Sequence, residues 1–525
     1  MKSRLVRWTP ALIAIVGAIA ARLIAHFSLH DAPHVMDEIA YVFQAKTYLT
    51  LHVTAPVPLP RAAFALWFVD DRTSKYGIFP PGWPAVLALG VLVHLRAWVN
   101  PVLHGMTTFT VARAARRVGG SRAAVLASIF YGLSPQALLL AASLMSHTIV
   151  AFGASLALYA GIAANAGKHR RSAIAIGGIG VALALLARPL CGVVVAIGLA
   201  SLLAFAFARK KIALPRIAPA AFAVGLGVAS LLLYNHAVTG SALRFPQTVY
   251  FDEHAPPMDD PFFRYRPGCN ALGFGPGHGC DEGIKNATHD LPNALSNTGD
   301  NLISWLFLAG GGPLAFALPL ALLFATRKHA TFRLLLFAGI TVPAAILLYA
   351  LYWYAGTCYG ARFYHAALPA LLLLGAIGIA RADRWKKKMT AWLAIAWLAL
   401  SAPGMYMGLV EVGDHYWGLD GRFERVLATW NHGPAVVMVA FQTDGLPMHH
   451  LRVTGFTSHS PHSVWHNSVR VLGALVMNSP DPKNDHVVFA KYHPSFVSTL
   501  RDEFPDRALY MYIAADEPEG DRVEA

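Results

Sequence analysis

Residues 168–211 read KHRRSAIAIGGIGVALALLARPLCGVVVAIGLASLLAFAFARKK, and this stretch decides the fold. Lys168, Arg170 and Arg171 open it, and Arg209, Lys210 and Lys211 close it. Between them the only charge is Arg188, which stands before Pro189 near the midpoint. Each half is apolar all round, whereas the surface helix of a soluble protein keeps a polar face. At about 1.5 Å of rise per residue, each half comes close to the roughly 30 Å of a hydrocarbon core. The stretch reads as two membrane spans joined by a turn at Arg188-Pro189, with both open ends on one side.

Working outward, the same alternation runs through the whole chain. Apolar runs occupy about 8–29, 98–112, 123–142, 148–166, 172–187, 190–208, 213–234, 302–326, 334–352, 366–380 and 389–408. Every second connection is basic. The clusters are Lys2, Arg4, Arg7; Arg113, Arg116, Arg117, Arg122; Lys168, Arg170, Arg171; Arg209, Lys210, Lys211, Arg216; Arg327, Lys328, Arg333; and Arg381, Arg384, Lys386, Lys387, Lys388. These segments hold 22 of the 43 basic residues and one of the 29 acids, Asp383, so they carry +21 and the rest of the chain −7. Positive-inside bias places them in the cytoplasm. The expected topology is about eleven spans, N-terminus in and C-terminus out, with the first run a retained signal-anchor.

Composition agrees. Counting Gly and omitting Tyr, about 60% of the 525 residues are apolar, against about 45–50% in soluble domains. Charged residues are 14%, where about 25% is usual. That excludes a soluble globular protein, a disordered chain and, with four Cys, a disulfide scaffold. The net charge of +14 follows from topology and gives no support to a nucleic-acid partner.

Three large pieces fall on the outer side: residues 30–97, residues 235–301 and a tail from about 409 to 525. The tail carries strand-like runs at 436–441, 486–490 and 509–513 and a helical pattern around 463–477, enough for one small extracytoplasmic α/β domain. The expected division is therefore a transmembrane module, 1–408, and a tail domain, 409–525. In the middle loop, Cys269 and Cys280 close a Gly-rich segment in an oxidising compartment and are expected to form a disulfide. Cys191 and Cys358, in or beside spans, are expected to stay unpaired. The tail histidines His449, His450, His459, His462 and His466 offer only one i, i+4 pair, too few ligands for a metal site. No metal or cofactor is expected, although a divalent metal is compatible with the chemistry below.

The first outer loop opens with His34-Val35-Met36-Asp37-Glu38-Ile39-Ala40-Tyr41, read as an amphipathic helix lying on the membrane surface. Two acids in a first turn can simply complement the helix dipole. The loop continues Asp70-Asp71-Arg72-Thr73-Ser74-Lys75-Tyr76-Gly77-Ile78-Phe79-Pro80-Pro81-Gly82-Trp83-Pro84. An Asp-Glu pair just beyond span one, with a Pro-Pro element before span two, resembles the C-type (GT-C) glycosyltransferases. The sequence is similar to bacterial relatives of protein O-mannosyltransferases and lipid A aminoarabinose transferases, a family 39-like group. The likeness covers residues 1 to about 410 in topology and short stretches in motif.

That resemblance implies a transferase moving a sugar from a polyprenyl-phosphate donor to a lipid, glycan or protein acceptor, with inversion. Its place is the outer face of a bacterial inner membrane, as part of cell-envelope chemistry. Asp37 matches the first acid of the family's pair and is the expected base; Glu38 orients it or binds acceptor. Lys75, with Tyr76 beside it, falls where relatives often place a basic residue before the Pro element, though here Tyr76 to Ile78 intervene before Phe79. Arg188 is a candidate phosphate clamp, or a cation snorkelling to lipid. His147, in the short turn after span three, is a candidate lining residue or a structural hydrogen-bonder. In the aromatic segment 352–364, Tyr359 and Arg362 are candidate sugar-phosphate ligands. Two other classes stand beside this one. A transporter would need polar groups at the bilayer midplane and repeats, which the sequence lacks. A non-catalytic scaffold or lipid-binding assembly protein would keep the topology without needing these residues.

Overall fold

In a computed structural model of the protein, the described residues are all except 1, 167–170, 254–266, 276, 281–287, 328–330, 354–357, 385, 387, 414–420, 442–451, 454–455, 458–470, 515–521 and 525. The first helix is α1 (Lys2–Phe27), and α2 (Met36–Leu49) and α3 (Gly82–Leu92) lie in the loop that follows it. The bundle continues through α4 (Val99–Gly132), α5 (Pro135–Ala142), α6 (His147–Asn165), α7 (Arg171–Ala187), α8 (Pro189–Ala208) and α9 (Ala218–Thr239). After α10 (Pro246–Glu253) come α11 (Leu291–Leu308), α12 (Leu314–Thr326), α13 (Phe332–Gly339), α14 (Thr341–Tyr349), α15 (Leu368–Ala380) and α16 (Met389–Gly413). Exposed Leu12, Ile15, Phe222, Leu233, Trp392 and Ile395 stud the outside of α1, α9 and α16. Apolar faces of this extent, on helices long enough to span, are the kind that lipid covers.

By length and composition, seven helices among the described residues can cross a membrane alone, or eight with the bent pair at Arg96–Gly132 and Pro135–Ala142. Eleven runs were expected, and the difference has physical causes. Arg171–Ala187 has 17 residues and Leu314–Thr326 has 13, short for a perpendicular span. The run 302–326 is broken at Gly310, Gly311 and Gly312, all at positive φ. Two expected runs, 98–112 and 123–142, begin inside the continuous α4. Yet α4 is not one rod: Gly120 has φ 77° and ψ −167°, and His104 Nε2 meets the Gly132 carbonyl oxygen at 3.1 Å. A straight helix would separate residues 28 apart by about 42 Å. The chain doubles back at Gly120, with Arg113, Arg116, Arg117 and Arg122 grouped about the turn.

The stretch read first behaves as its charges require. Arg188 is extended, at φ −151° and ψ 97°, and Pro189 takes the first position of α8. Proline costs no helical bond there and disfavours helix in the residue before it.

The tail holds a four-stranded sheet in the order Val487–Lys491, Ala435–Phe441, Ala508–Ala514, Arg522–Glu524. The first three strands are parallel and the last is antiparallel. Parallel strands are covered on both faces, which is why Val436, Val437, Val488 and Phe489 are all buried. Of the helix expected at 463–477, residues 471–475 are helical; 463–470 and the five tail histidines lie outside the described residues. The bundle's last helix runs to Gly413, beyond the expected boundary at 408.

This unit packs on the loop between α1 and α4. Ala63 and Phe64 share an apolar cluster with Val436, Met438, Val488, Ala490, Leu500 and Phe504. Lys46 Nζ donates to the carbonyls of Val476, Met477 and Asn478 at 2.8, 3.0 and 3.1 Å, and Arg96 pairs with Glu424. This contact corrects the reading of α2 as a membrane-surface helix. Its residues Met36 and Glu38 to Ala45 are all buried, because partners cover it on more than one side.

Candidate functional site

The site begins with the backbone of α2. Asp37 and Glu38 occupy its first turn, where the unpaired helical N–H groups favour negative charge. Consecutive helix positions point about 100° apart, so the two carboxylates meet different surroundings. Glu38 is buried. Its Oε2 accepts from the His34 N–H at 2.8 Å, and its Oε1 accepts from the Leu144 N–H at 3.1 Å and the Tyr359 hydroxyl at 3.3 Å. Burial pushes its carboxyl up from 4.5 to about 7, and the Asp37 charge adds to the rise against these hydrogen bonds. Asp37 is half-buried, and its carboxylate accepts no hydrogen bond from the described residues.

Glu38 ties together three segments far apart in sequence. The turn at 143–146 is also held by Asn100, whose amide donates to the Ser143 and Met145 carbonyls at 2.7 and 2.9 Å. Trp83 Nε1 donates to the Leu144 carbonyl at 2.8 Å. Trp83 follows the Pro80-Pro81-Gly82 element, and a Cβ on Gly82 would lie within 2.9 Å of the Leu186 backbone. The element thus brings the first loop against α7, two residues before Arg188.

Arg188 and Arg362 meet on one aromatic ring. Their guanidinium carbons lie 5.1 and 5.0 Å from the Phe363 ring centre, a favourable cation–π distance for each. Arg188 also donates to Ser146 Oγ at 3.2 Å, and Ser146 in turn is hydrogen-bonded to the Tyr41 hydroxyl at 3.0 Å. Arg362 donates to the Cys358 carbonyl at 2.9 Å. Arg188 Nε is buried with no hydrogen-bond partner among the described residues. His147 lies against the same ring, centroids 6.0 Å apart, with both ring nitrogens buried and unpartnered among the described residues. Tyr349 stacks on Phe363 at 4.9 Å and its hydroxyl meets Cys191 Sγ at 2.8 Å.

Six of the eight sequence candidates for catalysis and substrate binding therefore come together: Asp37, Glu38, His147, Arg188, Tyr359 and Arg362. Lys75 and Tyr76 do not join them. Lys75 is buried, donates to the Phe64 carbonyl at 2.7 Å and lies over the Phe43 ring at 5.2 Å. Burial draws its ammonium down from 10.5 to about 8. Tyr76 pairs with Asp70 in a two-residue ladder. Both support the first loop where the tail unit packs on Phe64.

Sequence reading missed Phe363, Ser146 and Tyr41. Phe363 stood in the aromatic run beside Arg362, but its ring position between two arginines depends on folding. Cys269 and Cys280 form the expected disulfide, and Cys191 and Cys358 are free and buried. Among the described residues, no three His, Cys, Asp or Glu side chains converge to hold a metal ion.

Neither a protein-family model nor a curated protein matches the sequence. Solved structures do match. ArnT from Cupriavidus metallidurans bound to undecaprenyl phosphate superposes with a TM-score of 0.54 at 15% identity, covering 96% of this chain and 92% of that one. ArnT from the same organism in the apo state gives 0.55 at 13% identity, with the same coverage. At such identity the likeness concerns fold, and it spans the bundle and the tail together. The chain has the fold of these ArnT structures, as the resemblance carried by Asp37-Glu38 and the Pro-Pro element led one to expect: a multi-pass helical membrane bundle with a small strand-bearing unit at its C-terminus.

Proposed function

We propose that the protein is a membrane glycosyltransferase that moves a sugar from a polyprenyl-phosphate carrier to an acceptor hydroxyl at the end of the bundle carrying α2. The observation that carries this reading is the convergence of a half-buried carboxylate, Asp37, whose charge acts on Arg188, with two arginines gathered on Phe363. The ArnT structure with bound undecaprenyl phosphate supports the choice of lipid carrier.

The reaction assigns each group one task. The acceptor O–H gives its proton to the Asp37 carboxylate as its oxygen attacks the anomeric carbon. The bond from that carbon to the phosphate oxygen breaks, and its electron pair leaves with the lipid phosphate. Arg188 and Arg362 stabilise the charge that grows there. One displacement, with base and leaving group on opposite faces of the sugar, inverts the anomeric centre. Glu38 is tied to Leu144 and Tyr359, so in this scheme it holds α2 in place and Asp37 takes the proton. Positive-inside bias argues for a site on the outer face of a bacterial inner membrane.

Mass spectrometry of lipid that copurifies with the protein tests the reading. Polyprenyl phosphate should be retained by the wild type and lost from the double variant Arg188→Gln, Arg362→Gln. Recovery of bulk phospholipid alone from both proteins would sink the carrier assignment.

A further inference from the structure

The far end of α1 carries a second gathering of cations, around a cavity of about 520 Å³. Trp8 lines it from α1, and Phe109, Arg113, Arg116 and Arg117 line it from the first arm of α4. Trp8 and Phe27 are separated by about 28 Å of helical rise, so the cavity and the α2 site belong to opposite ends of the bundle. It takes no part in the chemistry proposed above.

Arg113 and Arg117 converge on the ring of Tyr159 from α6, at 5.9 and 4.9 Å from its centre. Arg117 Nη2 also donates to the Tyr159 hydroxyl at 2.8 Å. Among the described residues no carboxylate pairs with Arg113 or Arg117; Asp383, the one acid of the basic segments, is engaged by Arg122 at 3.2 Å. Two guanidinium groups drawn to one ring without a counter-ion repel each other, and an anion between them offsets that cost. The arrangement repeats the one at Phe363. Positive-inside bias explains why arginines occur at this end, but not why they surround a cavity with aromatic walls.

The walls also say what kind of anion fits. Trp8 is 65% exposed and Phe109 40% exposed. Below them run exposed Leu12, Ile15 and Val16 on α1 and exposed Met106 and Val102 on α4. A soluble anion would gain nothing from that apolar surface, whereas a phospholipid would lay its acyl chains along it. Tryptophan at the rim suits the interfacial level, and basic pockets between spans are where lipid phosphates are held. We propose that the cavity is a binding site for the headgroup of an anionic phospholipid, with Arg113, Arg116 and Arg117 as its phosphate ligands.

Trp8 supplies the reporter. The full chain would be placed in phosphatidylcholine vesicles containing either brominated phosphatidylglycerol or brominated phosphatidylcholine. The Trp8 signal is taken as the difference between the wild type and Trp8→Phe. Brominated phosphatidylglycerol should quench that signal at lower mole fraction than brominated phosphatidylcholine. Arg113→Gln and Arg117→Gln should each reduce the preference about fivefold, the change expected for one basic residue near an anionic lipid. Arg122→Gln should leave it intact, because Arg122 does not line the cavity. Equal quenching by the two lipids in the wild type would overturn the proposal, whatever the variants do. So would a preference undiminished in the folded double variant Arg113→Gln, Arg117→Gln. Sugar transfer and donor retention are separate readouts, so failure here leaves the transferase reading untouched.

Discussion

Replacing Asp37 with Asn separates its two readings, because Asn caps a helix nearly as well as Asp but cannot accept a proton. Transfer should fall about 10²–10⁴-fold, while melting temperature and retention of polyprenyl phosphate stay near the wild type. Unchanged transfer would remove Asp37 from the chemistry. Glu38 makes a different demand. Its pKa is raised from 4.5 to about 7 by burial, so the folded state holds the proton more tightly than the unfolded chain. That stabilisation is complete below about pH 4.5 and is lost as pH rises to about 7. Glu38→Gln does not titrate and should lack this component. Thermal unfolding between about pH 5 and about pH 8 should therefore show a smaller loss in the variant than in the wild type. Equal slopes would mean that Glu38 is not held as described.

At the scale of elements, the reversal inside α4 depends on Gly120, whose φ of 77° and ψ of −167° lie in a region that is essentially glycine-only. A Cβ there would touch nothing within 4 Å, so the cost of Gly120→Ala is pure backbone strain, about 1–3 kcal/mol. Denaturant unfolding in detergent would measure it; a neutral result would mean that the turn relaxes. The other junction is Lys46, which closes three carbonyls after the 471–475 helix. Lys46→Met should leave the bundle folded and cost about 1–3 kcal/mol at this contact for the carbonyls left unpaired. Hydrogen exchange should rise around 471–479 before it rises elsewhere, and transfer should fall as α2 loosens. Uniform exchange across the chain would contradict that order. The apolar runs and their basic ends were legible because each is a local property of sequence. The reversal at Gly120 fell within the basic connection expected between the runs 98–112 and 123–142, whereas the break at Gly310–Gly312 went unread because the apolar pattern of 302–326 continues across it. The burial of α2 was misread because its second partner, the tail unit, arrives from the other end of the chain. Arg188 stood out as a lone charge in apolar sequence, and Arg362 among aromatics; that both rest on Phe363 is a tertiary fact with no local signal. Lys75 matched a family position by type, but its side chain turned to the Phe64 carbonyl.

For the molecule as a whole, Glu38 joins His34 at the beginning of the first loop, Leu144 in the turn before α6, and Tyr359 shortly before α15. A ribosome delivers those three partners in that order, with most of the bundle made between the second and the third. Asp37 emerges early, but Arg362 is among the late arrivals. During synthesis the chain would hold a carboxylate able to take a proton, yet lack one of the cations needed to receive the departing phosphate. On the proposed mechanism, activity would be acquired at the end of assembly. A nascent chain stalled before residue 359 would be inserted, helical and inert, with no means of consuming lipid-linked sugar.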